Sequence, residues 1–220
     1  AAYGYISYQT AWLKAHYRPE YMAALMTIEA ANTDKVLQYI LDCRRADMLV
    51  LPVCVNGSER AFSVPRPDQR QVDEHGNRID VIRFGLAAVK NVGGSAVEAV
   101  LEARRSAGGN FEDAFSVFTH IDYRRVNRRV LENLIKAGAL DFSGVPRSCL
   151  MAGLDAAMTL GQRTQQDRAA GQGSLFSLMA PARRPADFRF PEEPEWPISQ
   201  RLAYEKDVLG LYLSGHPMEA

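Results

Sequence analysis

The chain has 220 residues and no net charge, with 26 Lys and Arg against 26 Asp and Glu. An apolar share of 47% and a charged share of 24% are ordinary for a globular protein and exclude wholesale disorder. No stretch approaches the roughly 20 apolar residues of a membrane helix, and the start lacks a signal-peptide layout, so we expect a cytoplasmic protein without a membrane partner.

The cysteines and histidines predict neither a disulfide nor a metal site. They are scattered and match no CxxC or HExxH spacing. We therefore expect reduced cysteines and no metal or cofactor in this chain. The residues concerned are Cys43, Cys54, Cys149, His16, His75, His120 and His216.

Three helices are predicted at the start of the chain. Apolar residues recur with a helical period over residues 2–17, and Arg18-Pro19 ends that helix and begins the next. Asn32 is the predicted N-cap of a third helix that reaches about Ala46. The buried stripe of the second helix is expected to be Tyr21, Ala24, Leu25 and Ile28.

The first helix carries an aromatic stripe that has two readings. Tyr5, Tyr8, Trp12 and Tyr17 could stack on nucleic-acid bases. Aromatic residues at helical spacing more often belong to a core, and we favour that interpretation.

A small β-hairpin or three-stranded patch is predicted next. Its strands are expected within residues 50–55, 61–64 and 79–84, with residues 65–77 as an exposed loop. Helical signal returns after this patch, so the predicted fold class is mainly α.

Residues 86–104 have the pattern of a helix-hairpin-helix, with a tight turn at Gly93-Gly94. Such a glycine turn lets main-chain amides at the N-terminus of the second helix reach a DNA phosphate, aided by the helix dipole. The alternative is a helix corner without a ligand. The predicted DNA-binding residues here are Lys90, Val92, Gly93, Gly94 and Ser95.

A second hairpin is predicted over residues 126–141, followed by a helix that begins near Arg147. Paired hairpins can follow both strands of a duplex, and residues 82–150 hold ten basic against seven acidic residues. The repeat therefore favours DNA binding over a structural role. The predicted residues here are Arg128, Arg129, Lys136, Gly138 and Arg147.

A polar stretch at residues 172–176 contains an adjacent Leu and Phe. Exposed apolar anchors beside a glutamine suit a linear peptide that docks in a partner's groove. The alternative is that both apolar side chains fold back on their own domain. The candidate residues are Gln172, Ser174, Leu175 and Phe176.

These segments together resemble the alpha subunits of bacterial DNA polymerase III, the C-family replicative polymerases. The resemblance rests on residues 1–17, 32–36, 83–93, 126–141 and 209–217, which occur in the family's order and span nearly the whole chain. The chain is thus expected to be a piece of a longer protein.

The resemblance implies a division into three regions. Residues 1–80 would be the distal part of the polymerase fingers, and residues 81–178 a tandem helix-hairpin-helix region that binds DNA and the sliding clamp. Residues 179–220 would be a linker and helix that lead toward the oligonucleotide-binding domain. The expected partners are duplex primer-template DNA, the sliding clamp, the remaining polymerase domains and other replisome subunits.

Three positions depart from the family's pattern. Gly93-Gly94-Ser95 stands where Gly-Glu-Gly is usual, which leaves the hairpin geometry open, and Cys54 replaces a common aspartate for no reason we can identify. Gly173 stands where strong clamp motifs often have leucine, which implies moderate affinity.

The resemblance implies that the parent protein is a DNA-directed DNA polymerase that uses Mg²⁺. Two-metal phosphoryl transfer needs closely placed carboxylates, and no Asp-x-Asp occurs here, so this chain is expected to be inactive alone. Two alternatives remain at this point: a free-standing hairpin module of a DNA repair nuclease or helicase, and a protein-interaction scaffold.

Overall fold

The computed structural model describes residues 2–65, 79–169 and 188–215. The described residues are mostly helical, which confirms the predicted fold class. Short 3₁₀ helices occupy Leu86–Ala88 and Asp141–Ser143. The α-helices are α1 (Ala2–His16), α2 (Arg18–Ile28), α3 (Thr33–Arg45), α4 (Gly94–Ser106), α5 (Ala114–His120), α6 (Arg128–Lys136), α7 (Arg147–Ala152), α8 (Leu154–Ala169) and α9 (Ile198–Leu209).

Local chemistry sets several helix boundaries, and those at Pro19 and Asn32 are as predicted. Pro19 lies in the first turn of α2, where its missing N–H costs nothing. The Asn32 side chain caps α3 by accepting a hydrogen bond from the Lys35 amide at 3.2 Å. Asp113 and Ser116 form a reciprocal capping box at the start of α5.

The predicted β-hairpin is wrong in its strand direction. Strands β1 (Leu49–Leu51) and β2 (Val81–Arg83) pair in parallel, with Leu49 opposite Val81. Ser63 meets Arg83 through a single antiparallel bridge on the other side of β2. All three predicted strand segments thus meet. Because β1 and β2 are parallel, they need a crossover connection rather than a hairpin turn.

One hydrophobic core runs through all three predicted regions. Met26 and Ile40 from the first helices lie in the same cluster as Leu134 of α6 and Leu209 of α9. The expected boundaries at residues 80 and 178 therefore do not separate independent cores, although the functional assignment of each region remains a prediction.

The apolar faces of α1 and α2 differ from those predicted. In α2 the buried residues are Met22, Ala23 and Met26, whereas Ile28 is 79% exposed. The aromatic stripe of α1 is exposed along its length, with Tyr3 at 89% and Tyr8 at 68%. Among the described residues this stripe is therefore not part of a core. Among residues 2–65, 79–169 and 188–215, no helix has the length and apolar character needed to cross a membrane.

Candidate nucleic-acid interface

The first hairpin consists of the 3₁₀ helix Leu86–Ala88, a turn, and α4. The left-handed residue of the turn is Asn91, with φ of 63°, and not either predicted glycine. Asparagine tolerates this conformation better than most residues. Hence the chain reverses at Asn91, and Gly93-Gly94 begins the next helix.

The N-terminus of α4 is open on its outer side. Gly93 is the N-cap, no side chain caps the helix, and Gly93, Gly94 and Ser95 are exposed. The first amides of a helix have no intrahelical acceptor. A methyl group added at Gly93 would meet nothing within 4 Å, and neither glycine has a left-handed backbone. The fold itself therefore does not require glycine here.

Two hydrogen bonds and one buried side chain fix the turn of the first hairpin to the rest of the protein. The Lys90 amide donates to the Val208 carbonyl at 2.8 Å, and the Asn133 side-chain amide donates to the Lys90 carbonyl at 2.9 Å. Val92, a predicted DNA contact, is instead 6% exposed and packs in the core, and its amide donates to the Val89 carbonyl at 3.2 Å. Lys90 is exposed and lies three residues before Gly93, the N-cap of α4.

Two arginines outside the predicted set of DNA-binding residues flank this N-terminus. Arg125 donates through Nε to the Ser95 carbonyl at 3.1 Å and pairs with Glu102 at 2.5 Å. Arg60 pairs with Glu98 at 3.1 Å, and its guanidinium lies within contact distance of a methyl group added at Gly94. Arg60 lies 34 residues before Gly94 in the chain, so no local motif could have placed it here.

The second hairpin consists of α6, a turn at Gly138 with φ of 78°, and α7. The predicted DNA contact at Gly138 is not supported, because this glycine is buried. The Ala139 carbonyl accepts a hydrogen bond from the Val55 amide at 2.9 Å. This turn therefore packs inside the protein, unlike the turn of the first hairpin.

Arg147 is also placed in the interior, contrary to its predicted role at a DNA surface. Its side chain is 4% exposed and pairs with Asp141 at 2.6 Å and Glu205 at 3.0 Å. Burial lowers the pKa of Arg147, but these two carboxylates outweigh that effect and hold the pKa above its ordinary value. The guanidinium joins α7 to α9 and cannot reach a phosphate from this position.

The other predicted cations of the second hairpin have varied surroundings. Arg128 pairs with Asp155 at 2.7 Å and also with Glu132, and its hydrogen bond lowers the pKa of Asp155. The Lys136 ammonium lies 5.1 Å from the centre of the Tyr204 ring. Arg129 is exposed.

A carboxylate from later in the chain caps α7. Glu195 accepts hydrogen bonds from the Arg147 amide at 2.9 Å and the Ser148 amide at 3.2 Å. Partial burial raises the pKa of Glu195, but hydrogen bonds from three main-chain amides, with the charge of Arg201, hold it below its ordinary value. Sequence reasoning missed this residue because it lies 47 residues after Ser148 in the chain.

The predicted clamp-binding residues Gln172, Ser174, Leu175 and Phe176 lie outside the described residues. The three cysteines are free thiols. In the described ranges, no group of three or more Cys, His, Asp or Glu side chains is placed to hold a metal ion.

Comparison with known proteins agrees with the hairpin geometry. A family model described as "Helix-hairpin-helix motif" matches residues 47–150. The chain is 41% identical over 219 residues to the DNA polymerase III subunit alpha of Vibrio cholerae. Its identity to the proteins of the same name is 42% over 217 residues in Neisseria meningitidis and 37% over 218 residues in Escherichia coli K12.

The alignments cover 99 to 100% of this chain but only 18% of each relative. The similarity therefore extends beyond the two hairpins to both ends of the chain. Over its whole length, the chain is a homologue of one segment of bacterial DNA polymerase III alpha subunits, a segment that contains the helix-hairpin-helix motif.

Proposed function

We propose that this chain is the part of a bacterial replicative DNA polymerase that holds the phosphate backbone of duplex DNA. The observation that carries the proposal is the exposed, uncapped N-terminus of α4 at the first hairpin. Similarity along the whole chain favours a polymerase segment over a free-standing hairpin module of a nuclease or helicase, and over an interaction scaffold.

The chemistry of this site suits a phosphate. Amides in the first turn of α4 point along the helix axis, and the helix dipole adds positive potential at the same place. Lys90 adds an exposed cation in the same turn, whereas Arg60 and Arg125 close by are paired with Glu98 and Glu102. Such contacts fix the register of a duplex without reading its bases, as a polymerase that copies every sequence requires.

Nucleotidyl transfer belongs, in this proposal, to other parts of the polymerase. The described residues do not fit a Mg²⁺ site, because no group of three or more Asp, Glu, His or Cys side chains among them is placed to hold a metal ion. The role of this chain is then to bind and orient DNA, and we expect no polymerase activity from it alone.

Fluorescence anisotropy with a labelled, blunt-ended duplex tests the DNA contact. We expect affinity to fall steeply with salt, and Lys90→Ala to weaken binding and reduce the salt slope by about one. Arg45→Ala is the matched control, because Arg45 is an exposed cation on α3 with 79% of its side chain accessible. Binding that is absent, or equal in both variants, contradicts the proposal.

We also propose that residues 172–176 bind the sliding clamp. The support is the resemblance of Gln172, Leu175 and Phe176 to the clamp motif of this polymerase family. The test is surface plasmon resonance on a bacterial clamp, with both Leu175 and Phe176 changed to Ala. We expect loss of clamp binding, whereas Leu178→Ala with Met179→Ala, which removes similar apolar surface nearby, should preserve it. Equal affinity of the two double variants contradicts the assignment.

A further inference from the structure

The two hairpins differ in what meets the N-terminus of their second helix. At the first hairpin, Gly93, Gly94 and Ser95 are exposed and no side chain caps α4. At the second hairpin, the carboxylate of Glu195, from the segment of residues 188–215, occupies the N-terminus of α7.

The Glu195 carboxylate is bound as an anion. Its Oε2 accepts from the Arg147 amide at 2.9 Å, and its Oε1 accepts from the Ser148 amide at 3.2 Å. Its Oε1 also accepts from its own following amide, that of Trp196, at 2.8 Å. Two oxygens on successive helix amides are the arrangement that a phosphate adopts at a helix N-terminus.

The turn of the second hairpin also faces inward, whereas Arg128 and Arg129 on α6 are exposed. Gly138 and its neighbours Ala137, Ala139 and Leu140 are buried. Arg147 is enclosed by Asp141 and Glu205, and Lys136 lies over the Tyr204 ring. The turn and two of the predicted cations, Arg147 and Lys136, are therefore engaged within the chain.

We propose that the two hairpins have different partners: the first presents its amides to a DNA phosphate, and the second holds Glu195 in place of one. The second hairpin then serves as the docking point of residues 188–215 on the helical core. The DNA half of this inference rests on the proposed function, whereas the Glu195 half does not.

Amide NMR during titration with an unlabelled duplex distinguishes the hairpins. We expect the Gly94 and Ser95 amide signals to move as DNA is added, and the Arg147 and Ser148 signals to stay in place. Shifts of Arg147 and Ser148 as large as those of Gly94 would show that DNA displaces Glu195, and would overturn the inference.

A carboxylate placed at the first hairpin should reproduce what Glu195 does at the second. Ser95 is exposed in the first turn of α4, where a negative charge favours the helix, so Ser95→Glu should fold normally. We expect this variant to lower duplex affinity about tenfold, because the new carboxylate would repel the DNA phosphate. Unchanged affinity would contradict the assignment of DNA to this hairpin.

Hydrogen exchange without DNA tests the Glu195 half separately. Glu195→Ala should speed exchange of the Arg147 and Ser148 amides about tenfold or more. Glu192→Ala, which removes an exposed carboxylate from the same segment, should leave both rates unchanged. Equal rates in the two variants overturn this half. If no duplex binds at any salt concentration, the proposed function and the DNA half fail, while the exchange rates still decide the Glu195 half.

Discussion

The backbone of Gly138 faces the guanidinium of Arg147 with no room for a side chain. A Cβ added here would lie 2.2 Å from Arg147 Nη2, and φ is 78°. Gly138→Ala should therefore lower the free energy of unfolding by about 1 to 2 kcal/mol, from the left-handed backbone alone. Urea denaturation of the native chain and of Gly138→Ala measures this difference in the free energy of unfolding.

Gly94→Ala is the contrasting variant at the other hairpin. Its Cβ would meet Arg60 at 3.5 Å, an ordinary contact, and its backbone is not left-handed. Replacing a helical glycine should raise the free energy of unfolding by up to about 1 kcal/mol. Equal destabilisation by both substitutions would contradict the difference between the two turns.

Arg147 and Arg128 form a second residue-scale contrast. Arg147→Ala leaves the Glu205 carboxylate, which is 2% exposed, without its cation. We expect a loss of about 3 to 5 kcal/mol in the free energy of unfolding, as for other broken buried pairs. Arg128→Ala removes exposed pairs and should change stability little. Chemical denaturation of both variants checks this, and a small effect at Arg147 would refute it.

Arg147 also illustrates what single residues reveal before a structure is known. An arginine near a hairpin is expected at a phosphate, and the sequence neighbour Asp141 does not alter that expectation. The partner that draws Arg147 inward is Glu205, which lies 58 residues away. Long-range pairing of this kind leaves no local signal, whereas the exposure of Lys90 and Ser95 agreed with their hairpin positions.

At the scale of elements, the α7 cap predicts a dependence of stability on pH. The pKa of Glu195 is lower in the folded state than its ordinary value of 4.5. The charged form is therefore favoured by folding, so its contribution is complete above pH 4.5 and is lost as the pH falls through the lower folded value. The stability difference between the native chain and Glu195→Gln should shrink over that range in thermal melts. A constant difference would contradict the cap.

Helix α1 shows how stable a helix is when its apolar side chains are exposed. Its apolar side chains are exposed, including Tyr3, Tyr8 and Trp12, and helices of this length are marginal in water. We expect α1 amides to exchange far faster than those of α6, as measured by mass spectrometry. Equal protection would mean that the stripe of α1 is covered in solution.

Periodicity predicted these helices well but not their buried faces. In α2 the buried residues include Met22 and Met26 rather than the predicted Ala24 and Ile28, because a short apolar helix offers several possible faces. Packing partners from distant segments choose among them. The same limit applies to strand direction, since β1 pairs in parallel with β2 across a long intervening segment.

At the scale of the molecule, the segment after residue 187 completes the core. Leu202, Val208, Leu209, Leu211 and Leu213 are all buried. A chain that stops at residue 187 should lose more than about 5 kcal/mol of unfolding free energy, given the area these side chains bury. Thermal melts check this against a chain that stops at residue 215, which should melt normally. Similar melting temperatures would show that the segment is a dispensable tail.

The main-chain amide of Lys90 is bonded to α9 and its carbonyl to the Asn133 side chain on α6. A force on the first hairpin would consequently be transmitted beyond its turn. It would pass to Asn133 on one side and to the end of α9 on the other. Any movement of α9 would in the same way shift the point at which a bound duplex is gripped.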